Sequence, residues 1–463
     1  LENNYYNLID QTFVFPQEGF EVKENNLFFH GIDLMAIVKQ YGTPLKLTYL
    51  PVISERIRNA KKFFAKAMKK VHYEGSYTYC YCTKSSHFSY VLNEALKNDI
   101  HLETSSSFDI HIVRNLFEKG KVSKDTFIVH NGYKRELYVK LIAELINDGF
   151  NSLPVLDNLN ELDYFIPLVK KKCNIGIRIA TGEEPQSNYY TARLGIRHRE
   201  IVDYYTQVIK KQKLFKLKML HFFIDNGIED SLYYWNELQK CLAVYCELRK
   251  KCPTLDSLNI GGGFPVKHSL AEEFDYQYLA DEIVRQVKEF CDKERVPVPN
   301  IFSEFGSYTV ADSGAALYSI IDQKQQNDVE WWNMIDSSFI TTLPDTWAIN
   351  QRFIMLAVNR WDSAFERVNL GGLTCDSQDY YNVEAHVNNI YLPEFKKTNP
   401  LYIGFFNTGA YQNALGGYGG IQHCLIPSPK QIIIDKDKEG NMVSELFCEE
   451  QGPDGMLKTL GYT

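Results

Sequence analysis

At 463 residues the chain is longer than one hydrophobic core ordinarily supports, and with 44% hydrophobic and 23% charged residues it reads as two globular domains. A net charge of −8 with no long basic stripe excludes nucleic acid as the expected partner. No apolar run reaches the ~18 residues of a membrane span and no leader is visible, and ten cysteines without a Cys-x-x-Cys pair give neither a disulfide framework nor a metal site, so a reduced cytoplasmic protein without metal is expected.

Within the first 45 residues, Asn26-Leu27-Phe28-Phe29-His30 reads as a stray strand that would join a β-rich domain further on. From residue 76 to residue 304 strand and helix signals alternate. The strand-like runs are 76–82, 100–103, 127–130, 153–156, 175–180, 218–223, 257–260 and 300–304. Between the first two, Phe88, Val91, Leu92 and Leu96 share one helical face, and 229–251 reads as a long helix. Eight strands each followed by a helix predict a (β/α)8 TIM barrel; a doubly wound sheet is the alternative but usually uses fewer strands. After about residue 313 short β-rich runs (353–358, 402–406, 431–434) alternate with Gly, Pro, Asn and Asp clusters, as in an antiparallel β domain. The chain is therefore read as α/β, with a barrel over 46–313 and a β-rich domain from 1–45 plus 314–463.

A barrel gathers its functional groups at the C-terminal ends of its strands. Lys84 follows the first run, Glu103 ends the second, Arg178 lies in 175–180, and His221 and Phe223 end 218–223. Gly261-Gly262-Gly263 follows 257–260, and Glu304 ends the last run. A desolvated lysine at a strand end loses its proton readily and can attack an aldehyde. Three glycines let backbone N–H groups approach a phosphate without Cβ obstruction. A carboxylate can hold a pyridine nitrogen protonated and so make the ring an electron sink. Cys375 beside Asp376 supplies a thiol proton donor. Alone, each has a plain reading: a surface lysine, a tight turn, a structural ion pair, a packing cysteine. Together, in this order, they are the parts needed to hold pyridoxal phosphate and run carbanion chemistry on an amino acid.

Tyr81-Cys82-Thr83-Lys84, Gly261-Gly262-Gly263-Phe264-Pro265, Glu304-Phe305-Gly306, Cys375-Asp376-Ser377 and Gly409-Ala410-Tyr411 resemble, over about residues 40–435, the fold-III (alanine racemase-like) pyridoxal-phosphate-dependent decarboxylases of basic amino acids. Leu343-Pro344-Asp345-Thr346-Trp347 and Gly404-Phe405-Phe406 look most like the biosynthetic arginine decarboxylase branch, whose longer members carry an inserted helical bundle. By that resemblance Lys84 is the Schiff-base lysine and Glu304 the partner of the pyridine nitrogen. Gly261, Gly262 and Gly263, with the amides around Gly306 and Ser307, are the phosphate cradle, and Tyr411 lies near the phosphate. Glu103, Arg178 and His221 are polar residues of the cofactor site. Cys375 and Asp376 reach into the partner's site in a homodimer with shared active sites, where the thiol protonates the product, and Asp345 receives the substrate's distal cation. Two departures stand out: Phe223 occupies the place of the family's ring-stacking histidine, and Ser307 that of an arginine after Glu-x-Gly. A phenyl ring can still stack but cannot titrate.

The resemblance implies a polyamine-biosynthetic carboxy-lyase that converts a basic L-amino acid, foremost arginine to agmatine and CO2. Ornithine, lysine and carboxynorspermidine decarboxylases are the alternatives within the family, and a non-catalytic regulatory relative is the alternative from another class.

Overall fold

The computed structural model describes residues 3–182, 193–381 and 389–462. They divide into two compact units: Ser54–Pro265 with Phe274–Thr309, and Leu1–Ile53 with Val266–Glu273 and Val310–Thr463.

In the first unit eight parallel strands close into a barrel: Tyr77–Cys82, His101–Thr104, Ile128–His130, Ser152–Leu156, Cys173–Arg178, Phe215–His221, Ser257–Asn259 and Asn300–Ser303. Each overlaps a predicted run, with the largest displacements at Cys173–Arg178 (expected 175–180) and Phe215–His221 (expected 218–223), so that Phe223 lies just beyond its strand. The circle closes through Ile301 opposite Tyr77. Helices between the strands begin where the sequence supplies caps. Ser106 and Asp109 form a capping box before Ser107–Glu118. The Ser231 side chain accepts from Tyr234 N–H ahead of Leu232–Lys251, and Asp275 from Tyr278 N–H ahead of Tyr276–Glu294. Cys80, Val129, Leu153, Val155, Met219 and Phe302 fill the barrel interior as one buried cluster.

The second unit is built on a ten-stranded sheet among the described residues. Its long strand Gly314–Gln325 pairs antiparallel with Leu45–Tyr49, Trp331–Ile335 and Tyr402–Phe406. Two pairings are parallel, Leu45–Tyr49 with Lys430–Lys436 and Trp331–Ile335 with Phe365–Gly371. Buried Leu45, Leu47, Leu317, Trp361, Phe405, Phe406, Ile432 and Ile434 belong to its core.

The beginning of the chain differs from the expectation in two ways. Residues 46–53 fall in this second unit, because Leu45–Tyr49 lies between two of its strands. Asn26–Phe29 does not enter the large sheet. It pairs with Phe20–Lys23 and Ile32–Asp33 in a three-stranded sheet of its own, between helices Tyr5–Phe13 and Leu34–Tyr41 that the sequence reading did not predict. Aromatic packing makes the attachment: Phe20 and Phe29 lie 5.1 and 4.9 Å from the Phe406 ring.

Candidate active site

Side chains alternate along a strand, so an inward residue recurs every second position. In this barrel the recurrence converts the core into the rim. Two residues after buried Cys80 comes Cys82, after Val129 comes Asn131, after Val155 comes Asp157, and after Phe302 comes Glu304. Met219 is followed by His221 and then Phe223. The same step that packs the interior thus delivers polar groups to the C-terminal mouth.

Lys84 lies in a single 3-10 turn, Thr83–Ser85, directly after the first barrel strand. Its Nζ is 3.0 Å from Cys82 Sγ and 3.4 Å from Glu103 Oε2. Burial pushes the Cys82 thiol well above its ordinary value, and the Glu103 carboxylate adds to the shift. The thiol therefore keeps its proton and donates to Glu103 Oε2 at 2.8 Å.

Glu304 is 5% exposed and its oxygens are shared among three neighbours. Asn259 Nδ2 donates to Oε1 at 2.6 Å, Asn131 Nδ2 donates to Oε2 at 2.8 Å, and His221 Nε2 stands 3.3 Å from Oε2. Burial alone would raise the carboxyl; the His221 ring, Asn131 and Lys84 outweigh it and hold the group well below the usual carboxylate range. Arg178 carries its guanidinium carbon 5.6 Å from the centre of the Phe223 ring. Burial lowers the guanidinium, against the pull of Asp157, Glu304, Asp225 and Glu103, but an arginine remains a cation there.

The glycine loop is closed to side chains. A Cβ on Gly261 (φ +69°) would lie 2.8 Å from Phe222 O and 3.1 Å from the Phe223 ring, and one on Gly262 would lie 2.8 Å from Glu304 O. Gly263 (φ +91°) would meet Gly227 at 2.6 Å. The Gly261 amide is occupied by Asn259 Oδ1 at 2.9 Å. Gly306 passes the lysine turn so closely that a Cβ would sit 3.1 Å from both Cys82 and Ser85, and Ser307 opens the short helix Ser307–Val310. These residues fit pyridoxal phosphate. They offer an amine, an ionised carboxylate for a ring nitrogen and a cradle that any Cβ would fill. His221 adds a 2%-exposed ring whose Nδ1 makes no hydrogen bond among the described residues while its Nε2 faces Glu304.

Residues 53–311 match the family described as "Pyridoxal-dependent decarboxylase, pyridoxal binding domain". The chain belongs to the pyridoxal-dependent decarboxylases. The biosynthetic arginine decarboxylase of Prochlorococcus marinus (strain MIT 9215) is 20% identical, over 93% of this chain and 85% of that one. That alignment runs over 562 positions against 463 residues here, so the relative carries segments this decarboxylase lacks. Among solved structures, the biosynthetic arginine decarboxylase of Campylobacter jejuni superposes with a TM-score of 0.80 at 20% identity, covering 96% of this chain and 89% of that one. A diaminopimelate decarboxylase from M. jannaschii gives 0.79 at 17% identity, covering 95% and 97%. At these identities the superpositions establish the shared fold: a parallel barrel with a separate β domain.

The remaining expected residues lie in the second unit. Asp345 sits in the first turn of the short helix Pro344–Ala348, tied in both directions to buried Gln412. Gln412 Nε2 donates to Oδ2 at 2.7 Å, and Gln412 Oε1 accepts from Asp345 N–H at 3.3 Å. Tyr411, next to Gln412, adopts φ +66°. Cys375 is exposed, with Sγ 3.7 Å from Cys424 Sγ; Asp376 Oδ2 is 3.4 Å from His423 Nε2. Their loop is anchored by buried Asp379, which accepts from Thr374 N–H and Oγ1 through Oδ2 and from Phe339 N–H through Oδ1. Asn131, Asn259, Asp379 and Gln412 escaped the sequence reading. The first two carried a signal, each standing two residues beyond an inward barrel position; the amide and carboxylate of the β unit carried none.

Proposed function

We propose that this decarboxylase acts on a basic L-amino acid, foremost arginine, releasing CO2 and agmatine for polyamine synthesis. The observation that carries the reading is the alignment with biosynthetic arginine decarboxylases over nearly the whole chain. Asp345 supports it: a carboxylate already oriented by Gln412 offers a charge-assisted hydrogen bond to a distal cation. When bound, pyridoxal phosphate supplies the electron sink for the pair left as CO2 departs. Lys84 is the amine that attaches the cofactor. Glu304, held ionised, keeps a proton on a ring nitrogen. Phe223 offers a flat apolar face, and the Gly262 and Gly263 amides receive the phosphate with the amide and hydroxyl of Ser307. The Cys375 thiol, held above its ordinary value by its hydrogen bond to Cys424, keeps a proton to deliver to the carbon that has lost CO2.

The enzyme acts as a homodimer in which Cys375 and Asp376 complete the partner's site. Exposed Phe108, Tyr133, Leu137 and Leu159, on the segments that follow three successive barrel strands, give the apolar area such a contact requires. Ten free cysteines suit a reducing, cytoplasmic setting. Among the described residues no helix is long and apolar enough to cross a membrane. The deciding experiment is CO2 release from arginine, ornithine, lysine and diaminopimelate. Arginine should lead; a different leader reassigns the substrate, and release from none favours a relative that keeps the fold without the reaction.

A further inference from the structure

Two carboxylates meet at the barrel mouth, Glu103 at 0% and Glu304 at 5% exposure. Buried carboxylate oxygens each need a donor, and leaving one without a partner is costly. One side chain, Asn131, hydrogen-bonds to both. Asn131 Nδ2 donates one hydrogen to Glu103 Oε1 at 3.1 Å and the other to Glu304 Oε2 at 2.8 Å. Its backbone is pinned by the bond from Asn131 N–H to Thr104 O at 2.9 Å, and the side chain is 6% exposed. The reversed amide would set its oxygen against two carboxylate oxygens, so the orientation follows from both carboxylates being acceptors. The outer oxygens are engaged separately, Glu103 Oε2 by Cys82 and Lys84, Glu304 Oε1 by Asn259.

We propose that Asn131 is a positioning residue that holds the Glu103 and Glu304 carboxyl groups in register through one amide, Glu103 beside Lys84 and Glu304 beside His221. The amide delivers a donor to each acid without adding charge. It thereby joins the lysine end of the mouth to the end where Glu304 would meet a ring nitrogen. The other titratable groups facing the pair are Cys80, Cys82, Lys84, Tyr138, Arg178 and His221. All are retained in the variants below.

The test uses the holoenzyme without amino acid, so the outcome does not depend on which substrate the enzyme takes. Asn131→Leu keeps the branching of the side chain and removes both donors. Loss of a hydrogen bond to a buried charge should weaken pyridoxal phosphate binding about tenfold and move the pH midpoint of the bound cofactor's visible band by roughly one unit. Asn131→Asp gives a sharper signature. The introduced carboxyl faces two others and its own pKa rises; once protonated it can donate one of the two lost bonds. Decarboxylation by this variant relative to wild type should therefore increase as pH falls, which a merely structural role would not produce. Cofactor affinity within twofold of wild type and an unmoved midpoint, in an Asn131→Leu protein of unchanged melting temperature, would overturn the proposal. Should that variant fail to fold, a flat pH ratio for Asn131→Asp would do the same.

Discussion

The barrel mouth and the acid-thiol loop of the β unit hold reactive groups in opposite ways. In the barrel, Glu103, Asn131, Asn259, His221 and Glu304 are buried, and donors and acceptors are shared through neighbours on different strands. In the β unit, Cys375 is exposed and Asp376 half-exposed, each beside one neighbour from the turn at His423–Leu425. Burial makes the barrel groups strong electrostatic partners, because a lower effective dielectric magnifies every hydrogen bond and every mistake. Exposure makes the thiol and acid cheap to hold and easy to move. Rigidly shared groups and loosely held, exposed ones are thus supplied by different parts of the chain.

The comparison breaks most completely at the lysine. Lys84→Ala should show no decarboxylation above background and no borohydride-fixed label, since none of the described residues places a second amine beside Glu103. Cys375→Ala should bind and attach the cofactor normally yet turn over poorly. If the two units serve different copies of the site, mixing the two variants should recover activity above that of Cys375→Ala alone. No recovery in verified heterodimers would mean that each site is built from one chain.

Asp345 belongs to neither extreme, being half-buried and oriented by a buried amide. A charge-assisted hydrogen bond to a distal cation is worth roughly 1.5–3 kcal/mol, so Asp345→Ala should lower kcat/KM by about one to two orders of magnitude with cofactor binding intact. A planar guanidinium can use both carboxylate oxygens where an ammonium cannot, so arginine should lose more than ornithine. Equal losses for the two amino acids in a folded, cofactor-loaded variant would take Asp345 out of the selection of substrate.

How much was legible follows the same divide. All eight barrel strands could be read because hydrophobic runs and helical faces repeat at short range. The rim followed from them, since residues such as Glu304 sit where a strand must end. The binding of Asp345 by Gln412 spans 67 residues, and that of Phe339 N–H by Asp379 spans 40; no local periodicity encodes either. The helix Tyr5–Phe13 was missed for a related reason. Its buried Tyr5 ring stands 5.0 Å from Trp361, so the packing that holds the helix is written in a distant part of the chain.

The mildest break concerns the thiol's neighbour. Cys375 is raised above its ordinary value first by its hydrogen bond with Cys424, with the nearby charge of Asp376 a lesser contribution. If the protonated thiol is the acid, kcat/KM falls as pH rises through its pKa, and the raised value places that alkaline limb above the usual thiol range. Cys424→Ala removes the largest cause and leaves Cys375 in place. The limb should then move toward lower pH, with little change in the neutral plateau. An opposite, upward shift would show that Cys424 stabilises the thiolate. An unmoved limb would mean that the alkaline group is not Cys375.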